Sequence, residues 1–138
     1  MKTENKNKLY EKFNFINEKY LIDGVCCGDG WFGLLYDLCI EIEKSGVPKD
    51  FIVSQIKEKF GGLRFYVSSC SNEVFDLIDK AEQDSYTICE RCGKDGKLRD
   101  NMGWMMTLCD ECNRMCKVFN AEIGVDRRII INESNISD

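Results

Sequence analysis

The sequence predicts an α+β protein in which helices pack on a small antiparallel hairpin and a cysteine-rich module follows. Three observations favour this fold class. An apolar stripe with helical spacing runs from Trp31 to Ile42, apolar and polar residues alternate after the glycine pair at 61–62, and the pattern CxxC occurs twice between residues 89 and 112. We therefore predict a body over residues 1–85, a module over residues 86–124, and a short strand and tail over residues 125–138.

The composition is that of an ordinary soluble globular protein, with 43% hydrophobic and 31% charged residues. A formal net charge of −5 weakens a nucleic-acid function, which usually needs a basic surface. The N-terminal residues lack the apolar core of a signal peptide, and no run approaches the roughly 20 apolar residues that span a bilayer. Nine cysteines, an odd number that includes paired CxxC spacing, fit a reducing cytosol. We expect a cytoplasmic protein without a membrane segment.

Two helices are predicted in the first third of the chain. Residues 1–8 are polar, and we expect them to be frayed. The first helix is predicted from four apolar residues at helical spacing: Leu9, Phe13, Ile16 and Tyr20. Asp29 is a good N-cap for the second helix, which ends at Gly46. The apolar stripe of that helix consists of Trp31, Leu34, Leu35, Leu38 and Ile42.

The segment after the second helix predicts a β-hairpin that turns at the glycine pair 61–62. If the loop consists of the two glycines, Glu58 lies opposite Phe65 on the apolar face. If the loop also includes Phe60, Glu58 lies opposite Arg64 and the two can form an ion pair. The sequence leaves both registers open, because a slip of one residue exchanges the two faces of a strand.

A third helix, capped by Asn72, leads into the module. Its inward-facing residues are predicted to be Val74, Leu77, Ile78 and Ala81. The module is predicted to contain a short hairpin over residues 97–100 and 104–108, and then a helix that begins at the second CxxC. One face of this last helix carries Cys112, Met115 or Cys116, Phe119 and Ile123. Residues 127–131 can add a short strand.

The two CxxC pairs predict one structural zinc site with four ligands: Cys89, Cys92, Cys109 and Cys112. Zn²⁺ favours four soft donors in a tetrahedron, and the chain has no histidine that would replace a thiolate. A knuckle, a hairpin and a helix that supplies the last two ligands form a treble-clef-like order. An iron–sulfur cluster and a redox dithiol are the alternatives. Cys116, one turn after Cys112, is either a competing ligand or a small core residue.

The sequence does not favour a catalytic centre. A catalytic cysteine generally needs a histidine base, so we expect no catalysis by the thiols outside the CxxC pairs: Cys26, Cys27, Cys39 and Cys70. Asp23, Asp29 and Glu58 are the carboxylates that remain for acid–base chemistry, but Asp29 is predicted to cap a helix and Glu58 faces an arginine in one of the two registers. An enzyme with a site in the loop from Cys26 to Trp31 is a second alternative function.

Basic and aromatic residues of the two predicted hairpins are candidates for a binding surface. Together with Asp29 and Trp31, the predicted binding residues are Lys57, Lys59, Arg64, Tyr66, Arg99 and Trp104. Cations beside aromatic rings suit single-stranded nucleic acid, through phosphate contacts and base stacking. Acidic residues are interspersed with these cations in the sequence, which favours a mixed solvated face instead. A nucleic-acid-binding zinc protein is therefore the first alternative function.

Three motifs follow one another along the chain: CGDGWFGLLYDLC at residues 27–39, IKEKFGGLRFYV at residues 56–67, and CERCGKDGKLRDNMGWMMTLCDEC at residues 89–112. Together they resemble a family of small, mostly uncharacterised proteins encoded by bacteriophages and prophages. The resemblance covers residues 24–116. It implies a phage-related origin and zinc binding, and no established reaction.

The function we expect is that of a non-enzymatic, zinc-containing phage accessory protein in the cytoplasm of the bacterial host. Small acidic phage proteins often bind host machinery, including defence nucleases such as the CRISPR effectors. The resemblance therefore implies a protein partner in host defence or in phage machinery, and an anti-CRISPR-like inhibitor of host defence as one form of this function. The oligomeric state is left open.

Overall fold

The computed structural model describes residues 1–101 and 103–123, with side chains as far as Cys116. These residues form a mixed α+β fold, as predicted. The helices are α1 (Thr3–Lys12), α2 (Phe32–Ser45), α3 (Asn72–Ser85) and α4 (Asp110–Ile123). The strands are β1 (Val25–Cys26), β2 (Val53–Lys59), β3 (Gly62–Val67), β4 (Lys97–Asn101) and β5 (Trp104–Leu108). Within these residues, no helix combines the length and the apolar character that a membrane crossing requires.

A three-stranded sheet in the order β1–β2–β3 lies in the body of the protein. Strand β1 is parallel to β2, and β2 is antiparallel to β3. Val25, Ile56 and Phe65 are in register on one face and are buried in a hydrophobic cluster with residues of α2 and α3. Side chains alternate between the faces of a strand, so Lys57 and Arg64 lie on the opposite face, which we call the outer face.

The turn between β2 and β3 consists of Phe60 and Gly61 alone, because the strands already pair at Lys59 and Gly62. The φ angles of Phe60 and Gly61 are 54° and 84°, and two successive positive values are typical of a type I′ turn. The Glu58 carboxylate accepts a hydrogen bond of 2.7 Å from the Gly61 N–H. Both predicted registers are therefore wrong, since neither placed the turn at these two residues.

Three predicted apolar patterns are confirmed. In β3, Leu63 and Phe65 are buried, whereas Arg64 is half-buried and Tyr66 is exposed. The stripe of α2 lies in the core, with Leu34 partly buried against its fully buried members: Trp31, Leu35, Leu38 and Ile42. The inward residues of α3 also belong to this core: Val74, Leu77, Ile78 and Ala81.

The first helix differs from its prediction at both ends. It begins at Thr3, and Lys2 donates its backbone N–H to Asp29 Oδ1 at 2.9 Å, so residues 1–8 are not frayed. It ends at Lys12, because the next residue, Phe13, adopts an extended conformation with φ −119°. Phe13 and Ile16 are buried beyond the helix, whereas Tyr20 is 48% exposed. Their helical spacing was coincidental.

Two predicted helix caps are also wrong. Asp29 opens a short 3₁₀ turn that precedes α2, and its Oδ1 accepts hydrogen bonds from Lys2 N and from Asn5 Nδ2, both at 2.9 Å. Asp29 therefore holds the start of α1 rather than that of α2. The cap of α3 is Ser71, whose Oγ accepts from Val74 N at 3.3 Å, and Asn72 is the first residue of the helix.

The cysteine-rich module has the predicted order of elements. Strands β4 and β5 pair antiparallel from Lys97 and Leu108 to Asn101 and Trp104, and α4 follows directly. A second, smaller hydrophobic cluster lies in this module and includes Met106 and Leu108. The predicted positions of the Phe119 and Ile123 side chains, and the predicted strand over residues 127–131, lie outside the described part of the chain.

Candidate metal centre

The four cysteines of the two CxxC pairs come together in space. The Sγ atoms of Cys89, Cys92, Cys109 and Cys112 all lie within 4.8 Å of one another. The sulfurs of Cys92 and Cys109 are 3.6 Å apart, too far for a disulfide bond of about 2.05 Å. A tetrahedral ion with metal–sulfur bonds of about 2.3 Å holds its sulfurs about 3.8 Å apart. The cluster is therefore compatible with a single tetrahedral metal ion.

Backbone hydrogen bonds place each pair of cysteines. In the first pair, Cys89 N donates to Lys94 O at 2.8 Å and Gly93 N donates to Cys89 O at 2.9 Å, which folds the chain into a tight knuckle. Gly93 has φ 84°, a conformation that glycine adopts at little cost. In the second pair, Cys109 immediately precedes α4, and Cys112 lies in the first turn of that helix. The main-chain structure thus positions both pairs of cysteines.

The positions of these cysteines also shift the pKa values of three of their thiols. The backbone N–H of Cys112 donates to the Cys109 sulfur at 3.4 Å, and this hydrogen bond lowers the pKa of Cys109 to about 7. Burial raises the pKa of Cys92 and Cys112. The thiolate is the form that binds a metal, and the lowered pKa of Cys109 favours that form. A divalent cation would offset the repulsion among four clustered thiolates.

Cys116 lies outside this group of four and is buried beside Met106 and Leu108 in the second hydrophobic cluster. Of the two alternatives for this residue, the structure favours the small core residue.

The loop that contains the GDGW motif packs directly on the first knuckle. Gly28 N donates to Glu90 Oε2 at 3.0 Å, Gly30 N donates to Glu90 O at 2.8 Å, and the indole Nε1 of Trp31 donates to Ile88 O at 2.8 Å. A Cβ atom on Gly30 would lie 2.6 Å from the Glu90 carbonyl oxygen and would overlap the carbonyl of Cys89. Glycine at position 30 is what permits this close approach.

The turn of the KEKFGGLRFY motif packs on the same module. Thr107 Oγ1 donates to Gly61 O at 2.6 Å, and Thr107 O in turn accepts from Glu90 N at 3.0 Å. A side chain on Gly61 would meet Leu98. We call the contacts of the GDGW loop and of this turn with the module the junction. All three motifs therefore meet at the junction, a role that sequence reasoning did not assign to them.

Trp31 is fully buried, so its prediction as a binding residue is wrong. Glu90 and Thr107 are the residues of the junction that sequence reasoning missed. Both are buried polar residues, and nothing in the local sequence distinguishes them from exposed ones. Their partners lie 62 and 46 residues away in the chain.

Four of the predicted binding residues share the outer face of the sheet. Lys57 pairs with Arg64, Lys59 with Gly62, and Tyr66 with Gln55, so the side chains of Lys57, Lys59, Arg64 and Tyr66 project on the same side. Arg64 Nη1 donates to Leu63 O at 3.0 Å and to the Tyr86 hydroxyl at 3.4 Å. The structure thus brings together the cations and the aromatic ring that the sequence singled out.

Arg99 and Trp104 are not part of that face. Arg99 forms an ion pair of 2.6 Å with Asp110 and donates through Nε to Leu108 O at 3.1 Å, and its side chain is only 15% exposed. The guanidinium lowers the pKa of Asp110. Trp104 packs against the second hydrophobic cluster. These contacts tie the hairpin to the start of α4, and the binding role of Arg99 and Trp104 stays a prediction.

Three of the thiols outside the four-cysteine cluster lack the features of a nucleophile. Burial raises the pKa of Cys27 well above its usual range and also raises the pKa of Cys39. Cys26 is exposed, but burial of its thiol and the nearby Asp23 carboxylate raise its pKa. A raised pKa keeps a thiol protonated and unreactive at neutral pH. No observation on these residues supports an active site in the loop from Cys26 to Trp31.

A surface depression with a volume of about 790 Å³ lies between the segment after α1 and the end of α2. Phe15, Tyr20, Pro48 and Phe51 contribute to its walls, and none of the predicted metal-ligating or binding residues lines it.

Comparison of the chain with protein-family models, with curated proteins and with solved structures found no match.

Proposed function

We propose that the chain is a non-enzymatic zinc protein that acts by binding a macromolecule of a phage or of its bacterial host. The observation that carries the zinc assignment is the approach of four sulfurs to within 4.8 Å of one another. Four sulfurs this close suit one shared ion, whereas an iron–sulfur cluster distributes its four cysteines over two or four iron atoms, which holds cysteines on different irons further apart. Four protein ligands leave no open position for a substrate, which supports a structural role.

The module is proposed to be treble-clef-like. A knuckle carries Cys89 and Cys92, the β4–β5 hairpin follows, and α4 carries Cys112 in its first turn. In this arrangement the ion joins both ends of the hairpin. Metal analysis tests the assignment: we expect about one zinc per chain, lost in Cys109→Ser. Iron in place of zinc, or full metal retention by the variant, would refute it.

The outer face of the sheet is the proposed binding surface. Lys57, Lys59 and Arg64 concentrate positive charge on one side of a chain whose formal net charge is −5. A local basic face on an acidic protein attracts an acidic partner while the remaining surface repels it elsewhere, and this gives the complex one orientation. The resemblance to phage-encoded proteins supports an accessory role, of which inhibition of a host defence is the form we propose.

The test is capture from infected cells with immobilised, zinc-loaded protein. We expect a specific macromolecule to be retained by the native chain and lost when Lys57→Glu and Arg64→Glu are combined. Lys44→Glu, a charge reversal at an exposed position of α2, is the matched control and should leave capture unchanged. Equal capture by all three proteins would refute the proposed surface. Turnover of a nucleotide or peptide that depends on Asp29 or Glu58 would refute the non-enzymatic role.

A further inference from the structure

Phe60 occupies a position that its backbone disfavours. It is the first turn residue between β2 and β3, where φ is 54°. Type I′ turns strongly prefer asparagine, aspartate or glycine there, because a bulky side chain in the left-handed region crowds the backbone. Gly61, the second turn residue, follows this preference, and Phe60 does not.

Core packing does not explain the aromatic side chain either. Phe60 is 64% exposed, which makes it one of the most exposed large hydrophobic residues in the described part of the chain. Its ring lies 5.6 Å from the ammonium of Lys59. An outlier of this kind, costly to the backbone and little buried, is a reason to look for a function outside the fold.

Phe60 extends the outer face of the sheet. Lys59 projects on that face, so its contact with the Phe60 ring places the ring at one end of the row of cations. Tyr66, 43% exposed, stands at the other end, and the strand between them is roughly 15 Å long at about 3.4 Å per residue. Lys57 and Arg64 lie between the two rings.

We propose that the outer face binds single-stranded nucleic acid, with bases stacked on Phe60 and Tyr66 and phosphates held by Lys57, Lys59 and Arg64. This assignment rests on the proposed function and names the class of its partner. Two exposed rings that flank a row of cations on a strand surface are suited to flat bases joined by phosphates. Duplex nucleic acid is a poor ligand, because its bases are already stacked on one another and cannot stack on the two rings.

The test uses full-length, zinc-loaded protein and a fluorescein-labelled ten-nucleotide oligo(dT) or oligo(U), followed by anisotropy at several KCl concentrations. Three cations predict a slope of about −2 in a plot of log affinity against log salt, at about −0.7 per phosphate for single strands. Phe60→Asn keeps a favourable turn residue while removing the ring. We expect it to weaken binding by about 5- to 150-fold, the range that corresponds to one stacked base.

Phe75→Ala is the matched control, since Phe75 is 61% exposed but lies on α3. It should bind as the native chain does. Absence of oligonucleotide binding at low salt, or equal affinity of Phe60→Asn and the native chain, would overturn the inference. If a protein is captured through Lys57 and Arg64 while no oligonucleotide binds, the proposed function stands and the nucleic-acid assignment is refuted. If the native chain captures no macromolecule and binds no oligonucleotide, both the proposed function and the nucleic-acid assignment are refuted.

Discussion

Replacing Gly30 by alanine tests whether the junction holds the body and the metal module together. The added Cβ would lie 2.6 Å from the Glu90 carbonyl oxygen and would overlap the carbonyl of Cys89. Both atoms belong to the main chain of the knuckle and cannot rotate away. The GDGW loop must therefore move off the knuckle, or the knuckle must distort.

The expected loss of stability follows from the contacts at that position. Movement of the loop removes three hydrogen bonds, made by Gly28 N, Gly30 N and the Trp31 indole. At about 0.5 to 1.5 kcal/mol for each bond, and about 1 to 3 kcal/mol for overpacking, Gly30→Ala should lower the free energy of unfolding by about 2.5 to 7.5 kcal/mol. That is a large share of the 5 to 15 kcal/mol, roughly, that stabilises a domain.

Gly33 supplies the matched control three residues further on. No atom lies within 4 Å of the position that its Cβ would take, and it is the second residue of α2. Gly33→Ala should therefore raise stability by about 0.5 to 1 kcal/mol, the helix preference of alanine over glycine.

Urea unfolding of both zinc-loaded variants, followed by circular dichroism, measures the difference between them. If Gly30→Ala unfolds at the same urea concentration as the native chain, the junction does not stabilise the fold and the reasoning fails.

Three further predictions concern the metal, the turn and pH. In a Trp104→Phe variant, Trp31 is the remaining tryptophan. Chelation of the metal should shift the fluorescence emission of Trp31 to the red, because its indole is hydrogen-bonded to the knuckle. Unchanged emission would contradict a link between the metal site and Trp31. Phe60→Asn should be more stable than Phe60→Ala by about 1 kcal/mol in urea, since asparagine tolerates a positive φ better, and the reverse order would argue against strain at the turn. Burial raises the pKa of Glu58 above 4.5, the ordinary value for glutamate, so the native state binds this proton more tightly than the unfolded chain does. The free energy of unfolding should therefore fall as pH rises from 4.5 through the native pKa. Glu58→Gln should therefore be more stable than the native chain at pH 7 and lose less stability between pH 5 and pH 7, whereas Glu11→Gln, at an exposed position, should follow the native chain.

Periodic patterns in the sequence predicted the parts of the fold that depend on local burial. The stripe from Trp31 to Ile42 and the alternation in β3 were read correctly, because an amphipathic element needs apolar residues at a fixed spacing wherever it packs. The cysteine cluster was predicted for a similar reason, since metal geometry dictates ligand type and spacing.

Contacts between distant residues decided the points that the sequence did not reveal. Asp29 has the right type and place for a cap of α2, but its carboxylate is held by Lys2 and Asn5. In the sequence Arg99 has no obvious partner, whereas in the fold α4 places Asp110 beside it and the two form an ion pair. The β2–β3 register was missed because a phenylalanine with positive φ contradicts the turn preferences used to place it.

The junction also constrains the order in which a newly made chain can complete its fold. Gly28 and Trp31 leave the ribosome about 60 residues before Glu90 and Ile88, the residues that satisfy them. At about 5 to 20 residues per second, the GDGW loop waits for roughly 3 to 12 s with its amides bonded only to water. Throughout that interval the indole N–H of Trp31, a side chain that is fully buried in the finished protein, lacks its Ile88 partner. Arrival of the knuckle, and of the ion it is proposed to carry, supplies this partner, so a shortage of metal during synthesis would weaken the body of the protein as well as its last third.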